Sequence, residues 1–254
     1  MGALKGKTAL VTGGSRGIGR GVAERLAADG AAVAVHYCDN EAAALDTVNA
    51  IRDDGGTAFP VAADLGRPDA ARVLYRAFDA ALNDSGLPPG LDILVNNAAI
   101  GPLGDIETAT EDHFDEVFTI NARGPFFVTK YGLDRMRDDG RIVNVSSAAT
   151  RTAFPESLAY SMSKGAIDVL TLALAKHVGH RGITVNTVAP GFVETDMNAP
   201  LRQTPEAAAG LAAFSVFNRM GRPSDIGDAV AFLVSDEARW ITGQWISVSG
   251  GAGL

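Results

Sequence analysis

Short runs of β-branched and other apolar residues alternate with longer stretches rich in Ala and Leu from one end of the chain to the other. The strand-like runs are Thr8–Thr12, Val33–Tyr37, Thr57–Val61, Ile93–Asn96, Arg141–Val145, Ile183–Val188 and Trp245–Val248. Helical patterning lies near Gly17–Asp29, Asn40–Asp54, Pro68–Asn83, Thr110–Asn121 continuing toward Arg137, Ala159–His177 and Ser224–Ser235. Strands separated by helices predict βαβ units and a parallel sheet. The runs Ile93–Asn96 and Arg141–Val145 are nearly all apolar, as strands covered on both faces should be. Glycines supply the stops: Gly30 after the first helix, Gly55-Gly56 after the second, Gly140 ahead of the fifth strand. The single candidate break, Asp84–Gly90, is short enough to be a loop. The expectation is one α/β domain over 1–254, a doubly wound, seven-stranded parallel sheet with helices on both faces. Right-handed crossovers then bring every strand's carboxyl end to one edge, where ligands bind.

Composition narrows the partners. The 254 residues hold 22 Lys+Arg against 30 Asp+Glu, a net charge of -8, with no basic run. That argues against a nucleic-acid footprint or a polybasic membrane anchor, and small molecules are the expected partners. A chain that is 46% hydrophobic and 20% charged can bury a core. No stretch approaches ~18 uninterrupted apolar residues, and the opening MGALKGKTALVTGG lacks an apolar targeting segment and has Gly6 where a myristoylation signal wants Ser or Thr. Cys38 stands alone and cannot form an internal disulfide, so a cytoplasmic setting is expected. Of the histidines, only His177 and His180 are close, on a helix end where a cationic role fits, so no metal is expected.

Each candidate chemical group follows a strand. The first strand runs into Thr12-Gly13-Gly14-Ser15-Arg16-Gly17-Ile18-Gly19 and then a helix. Glycines there allow a tight turn, or let the backbone approach a pyrophosphate that the helix N–H groups then bind. Asp64 follows the third strand and Asn96-Asn97-Ala98-Ala99 the fourth; each serves as a loop cap or, together, they trace a dinucleotide along the edge. Ser146-Ser147 ends the fifth strand, and Tyr160 and Lys164 share one helix face. A phenol with a pKa near ~10 exchanges protons poorly at neutral pH unless a cation favours its phenolate, and Lys164 can supply one. Ser147 can hydrogen-bond a substrate oxygen as charge develops on it. The bland readings are a strand-end cap for Ser147 and a half-buried helix tyrosine for Tyr160.

TGGSRGIG, NNAA, Ser147, Tyr160-Ser161-Met162-Ser163-Lys164, Pro190-Gly191, and the later Asn218–Pro223, Ile241–Gln244 and Gly250-Gly251 follow one another in this order. Together they resemble the short-chain dehydrogenase/reductase family over essentially the whole chain, nearest to its 3-oxoacyl carrier-protein reductases and polyketide ketoreductases. The resemblance implies a Rossmann-type fold with Tyr160 as acid/base. It implies that Lys164 binds the nicotinamide ribose and lowers the Tyr160 pKa, that Ser147 orients the carbonyl, and that Asn121 helps hold a proton-relay water. It also implies cofactor contacts at Gly13, Ser15, Arg16, Gly17, Ile18, Gly19 and Tyr37. Asp64 and Leu65 fall to adenine, Asn97 and Ala98 to the adenine-side ribose, and Pro190, Gly191, Val193 and Thr195 to nicotinamide. Two departures are Ala99, where the family has Gly, and Val248-Ser249-Gly250-Gly251, where it has VDGG.

NADP(H) is expected over NAD(H), because Tyr37 stands where the family's NAD enzymes place Asp and Arg16 can pair with a 2′-phosphate. Asp39, 20 residues past Gly19, is the opposing sign. The resemblance implies a substrate lid near 192–217, with Phe154, Phe192 and Met197 at the substrate; these, with Leu201, Phe214 and Phe217, make an apolar pocket or simply pack in the core or at a subunit contact. The expected activity is NADPH-dependent reduction of an apolar acyl, polyketide or aromatic ketone. The alternatives are alcohol oxidation by the same residues, or a redox-inactive dinucleotide-binding regulator. The resemblance implies a homotetramer or homodimer through Thr110–Arg137, Ala159–His177 and the last strand, and the helix over Ala166–Ala175, with little polar face, supports it.

Overall fold

In the computed structural model, which describes residues 2–252 and 254, seven parallel strands form one sheet in the order β3-β2-β1-β4-β5-β6-β7. They are β1 (Thr8–Val11), β2 (Ala32–Tyr37), β3 (Thr57–Ala62), β4 (Leu91–Asn96), β5 (Met136–Val145), β6 (Thr184–Pro190) and β7 (Trp245–Val248). The order reverses between β1 and β4, so the crevice of this doubly wound fold opens where both strands end. Eight helices accompany the strands: α1 (Gly17–Ala28), α2 (Glu41–Asp53), α3 (Ala70–Asp84), α4 (Glu111–Phe118), α5 (Gly124–Gly132), α6 (Leu158–Val178), α7 (Pro205–Ala212) and α8 (Pro223–Val234). Two apolar cores result. One packs Leu26 of α1, Val48 of α2 and Val230 of α8 on the sheet. The other packs Leu74 and Phe78 of α3, Val128 of α5 and Leu174 of α6 on the opposite face.

The patterning locates all seven strands, with three differences. The helix expected to run from Thr110 toward Arg137 is α4, a π-helical turn over Thr119–Arg123, and α5, which stops at Gly132. Arg137 lies instead in β5. Gly140, read as a stop ahead of the fifth strand, lies inside it. Leu91 pairs with Met136 and Ile93 with Arg141, so residues 137–140 arch away from the partner strand. Asp139 at the arch has φ 59°, the left-handed region that a bulge requires. Finally, α7 in the lid region has no buried residue, so no apolar stripe announced it.

Helix α6 has the length and composition of a membrane span. Its place is that of a core crossover between β5 and β6, with Ile167, Leu174, Ala175 and Val178 buried. Its other face leaves Met162, Val169 and Leu172 at 56%, 66% and 62% exposed.

Candidate active site

The glycine loop forms at the end of β1 because the backbone there has no room for side chains. A Cβ on Gly19 would overlap the Gly13 carbonyl oxygen and come within 2.6 Å of Asn97 Nδ2. Gly13 has φ 62°, and a Cβ there would meet the Ala98 Cα at 3.0 Å. The loop is tied to the end of β4: Thr12 Oγ1 accepts the N–H of Asn97 (2.9 Å) and of Ala98 (3.1 Å), and Asn97 Nδ2 donates to Thr12 O (2.9 Å) and Gly13 O (3.1 Å). Arg20 N–H is the first in α1 to reach a helix carbonyl, that of Arg16 at 3.1 Å. The N–H groups of Gly17, Ile18 and Gly19 are left at a positive helix end without in-helix acceptors, the chemistry of a phosphate cradle. Ser15 fixes the back of the loop through its carbonyl, which accepts the Thr47 hydroxyl at 3.0 Å.

Past the ends of β2 and β3, several of the expected side chains have structural partners. Asp64 accepts the Gly66 N–H at 2.9 Å as a loop cap. Leu65 is 5% exposed and belongs to the core, which leaves its backbone for a ligand. Asn96 is the last residue of β4 and buried, so of the two asparagines only Asn97 lies at the crevice. Tyr37 ends β2 with its phenol held above the usual range by burial and by Glu41. Asp39 falls past the strand end, exposed. The Arg16 guanidinium, 63% exposed, lies 3.7 Å from the Asp196 carboxylate.

Three further groups meet past the end of β5. The Ser147 hydroxyl accepts the Ala149 N–H at 3.1 Å as a strand-end cap and lies close enough to the Tyr160 phenol to favour its ionised form. Burial pushes the Tyr160 pKa up, and the Ser147 contact opposes this only partly. Lys164, 3% exposed, lies 5.8 Å from the centre of the Tyr160 ring and donates from Nζ to the Val145 carbonyl at 2.8 Å. Burial brings its pKa down to about 8, and Asp168, one helical turn on, works against that fall. Asn121 sits in the π turn with both amide N–H groups engaged, to Ile100 O (2.8 Å) and Ser163 Oγ (3.1 Å). Its side chain anchors the loop after β4 beneath Tyr160.

Past β6, which Pro190 ends, Gly191 packs so tightly on Ser249 that a Cβ would lie 3.0 Å from its carbonyl oxygen, and Val193 is buried. Thr195 caps the turn over Asp196–Arg202, and a Cβ on Gly17 would meet its methyl at 3.1 Å. The crevice is therefore bounded by the glycine loop on one side and the segment after β6 on the other. Gly101 lies between Tyr160 and Met197: a Cβ there would meet Met197 Sδ at 3.1 Å and the Tyr160 ring at 3.5 Å. Phe154, Phe192 and Phe214 form one aromatic cluster, with ring centres 5.1–5.8 Å apart. The sequence reading named the loop glycines, Asp64, Asn97, Asn121, Ser147, Tyr160 and Lys164, but not the partners that hold them: Thr47 at Ser15, Asp168 beside Lys164, Asp196 beside Arg16, and the His36 ring, which accepts the Gly13 N–H. A lone buried histidine carries no local signal of that task.

This arrangement is that of a dinucleotide-dependent oxidoreductase. A family model described as enoyl-(acyl carrier protein) reductase matches residues 13–253. The chain is 41% identical over 263 residues to versicolorin reductase stcU of Emericella nidulans, covering 98% of this chain and 96% of that protein. It is 41% identical over 253 residues to an uncharacterized oxidoreductase of Methylorubrum extorquens, covering 99% of each. Among solved structures it resembles the angucycline C-6 ketoreductase LanV with bound NADP, at 47% identity and a TM-score of 0.94, over 99% of this chain and 97% of that one. It also resembles LugOII, a promiscuous reductase that catalyses keto-reduction at C1 during lugdunomycin biosynthesis, at 46% identity and a TM-score of 0.96, over 99% and 100%. The chain belongs to the short-chain dehydrogenase/reductase family.

Proposed function

We propose that this protein is an NADPH-dependent ketoreductase acting on a polyketide or related aromatic ketone. The observation that carries this reading is the meeting of the Ser147 hydroxyl, the Tyr160 phenol and the buried Lys164 ammonium beside a glycine loop with free helix N–H groups. The cofactor's phosphates suit the cradle, since the glycines let the loop lie close to β4 and leave the N–H groups of Gly17, Ile18 and Gly19 without in-helix acceptors. Gly17, Ile18 and Gly19 hold the pyrophosphate, Arg16 the 2′-phosphate, and Thr195 with the backbone near Gly191 the nicotinamide end. NADPH, when bound, supplies the hydride that reaches the carbonyl carbon.

The side chains of the chain do the rest. Ser147 donates a hydrogen bond to the ketone oxygen and fixes its direction. Tyr160 gives its phenolic proton to that oxygen, so that hydride plus proton yields the alcohol. A phenol whose pKa is raised is fully protonated at neutral pH, the state a donor needs. The Lys164 charge stabilises the phenolate left behind, and two of its N–H groups beyond the Val145 bond are available to ribose hydroxyls. The relatives' keto-reducing names and the cluster of Phe154, Phe192 and Phe214 favour a flat, apolar substrate under a lid formed by 192–217.

Assembly as a homodimer or homotetramer is supported by the exposed apolar face of α6, by Phe114 and Phe126 on α4 and α5, and by β7 at the open edge of the sheet. The exposed lone thiol of Cys38 suits the reducing cytoplasm. The test is a panel of polycyclic, acyl and small charged ketones with NADPH and NADH, followed at the nicotinamide absorbance. Turnover of polycyclic ketones with NADPH well ahead of NADH is expected. Activity confined to alcohol oxidation, or none while NADPH binds, would overturn the assignment.

A further inference from the structure

His36 sits in the middle of the cofactor edge without touching the reacting groups, and its imidazole is 2% exposed. Its Nδ1 lies 3.0 Å from the backbone nitrogen of Gly13, the first glycine of the loop. Its Nε2 lies 2.9 Å from the carbonyl oxygen of Ala63, the residue before Asp64. Its own carbonyl accepts the Gly14 N–H at 2.9 Å. An amide N–H can only donate and a carbonyl can only accept, so both ring contacts demand the same neutral form, with the proton on Nε2 and a lone pair on Nδ1. Burial keeps the ring in that form by holding its pKa down to about 4.

Two loops are thereby held by one ring. Strand β2 lies between β1 and β3, and the imidazole joins the loop after β1 to the loop after β3 across the strand that separates them. With the N–H groups of Gly13 and Gly14 turned onto His36, the loop presents its later amides, at the start of α1, to a ligand.

We propose that His36 is a positioning residue for the adenosine half of NADPH: its Nδ1 lone pair sets the first turn of the glycine loop relative to the adenine loop, and cofactor affinity depends on that acceptor. The proposal rests on the cofactor reading above and adds to it a residue that touches neither cofactor nor substrate.

Three variants separate this from a merely structural role. Asn places Oδ1 two bonds from Cβ, as His places Nδ1, and keeps the acceptor for Gly13. Gln puts its amide one bond further out, toward Ala63, and gives up the Gly13 acceptor; Leu removes both contacts. NADPH affinity is measured by fluorescence titration of the full-length protein, with KM and kcat for a ketone turned over by the wild type and a thermal melt for each variant. For His36→Leu and His36→Gln we expect NADPH to bind about tenfold more weakly, the worth of one lost positioning hydrogen bond. Turnover at saturating NADPH should stay within about threefold of wild type, because the reacting groups are untouched. For His36→Asn affinity should return to within about threefold of wild type. In the wild type, imidazole 15N shifts should report a protonated Nε2 and a bare Nδ1. Rescue by Gln but not by Asn, unchanged affinity in both, or the opposite tautomer would overturn the proposal; if His36→Leu does not fold, the Asn and Gln pair decides alone. A wild-type protein that does not bind NADPH would instead overturn the cofactor reading.

Discussion

The side-chain amide of Asn96 donates to Oδ1 of Asn144 at 2.8 Å, across a register pair of β4 and β5. The row continues: Asn144 Nδ2 donates to Thr171 Oγ1 of α6 at 2.9 Å, and that hydroxyl meets Thr187 Oγ1 of β6 at 2.7 Å. Asn96 also reaches Thr129 of α5 at 3.0 Å. All five side chains are buried. A slip of one residue in any of these strands would strand polar groups in the apolar core, so the row fixes the register that delivers Asn97 and Ser147 to the crevice.

Removing one member strands the partners it served. Asn144→Leu leaves Asn96 and Thr171 each short of a partner, at roughly 1–3 kcal/mol per stranded group. The double variant Asn96→Leu with Asn144→Leu should be less destabilised than the sum of the single changes. Urea denaturation of the four proteins checks this; strict additivity would show that the two asparagines are independent.

Tyr160→Phe should lower ketone turnover by roughly 10²- to 10⁴-fold, the usual worth of a positioned general acid, with folding and NADPH binding retained. Ser147→Ala should reduce kcat and leave the NADPH dissociation constant in place. Steady-state rates beside cofactor titrations test both, and a Phe variant with wild-type turnover would assign the proton to another group.

The reduction rate should carry one descending limb on the alkaline side. Lys164, with its pKa brought down to about 8, is a cation below that pH and loses its charge as pH rises through it. Tyr160, pushed above its ordinary value, remains protonated over the same interval. The profile should therefore be level below about pH 8 and then fall about tenfold per unit. A profile level well above that point would dissociate the Lys164 charge from the chemistry.

Arg16→Ala should weaken NADPH by about 1.5–3 kcal/mol and NADH much less, since one charged hydrogen bond to the 2′-phosphate is lost. Its present partner, Asp196, is 70% exposed, and such a surface pair contributes little to stability. Asp196→Asn should then tighten NADPH slightly by removing a carboxylate near the phosphate. Equal weakening of both cofactors in the Arg16 variant would reduce this side chain to a structural part of the loop.

Strand positions and the Gly19, Tyr160 and Lys164 placements were legible because each rests on local spacing or on the 2-fold and 3.6-fold periods. What escaped depends on distant partners. The arch at Asp139 and Gly140 forms only because β5 must pair with β4 before and after it, so a glycine that reads as a stop sits within a strand. Asn96 reads like Asn97 in the sequence, yet one is sealed in the core by Asn144, 48 positions away, and the other lies at the crevice. His36 gives no local sign that its ring serves Gly13, 23 positions earlier.

The aromatic cluster of Phe154, Phe192 and Phe214 belongs to segments outside the sheet, whereas the glycine loop is locked between β1 and β4 with no volume to spare at Gly19. Natural variation is therefore channelled. Met197 and Phe217 are 50% and 69% exposed, so side chains there can change size without disturbing the sheet, whereas Gly19 admits no Cβ.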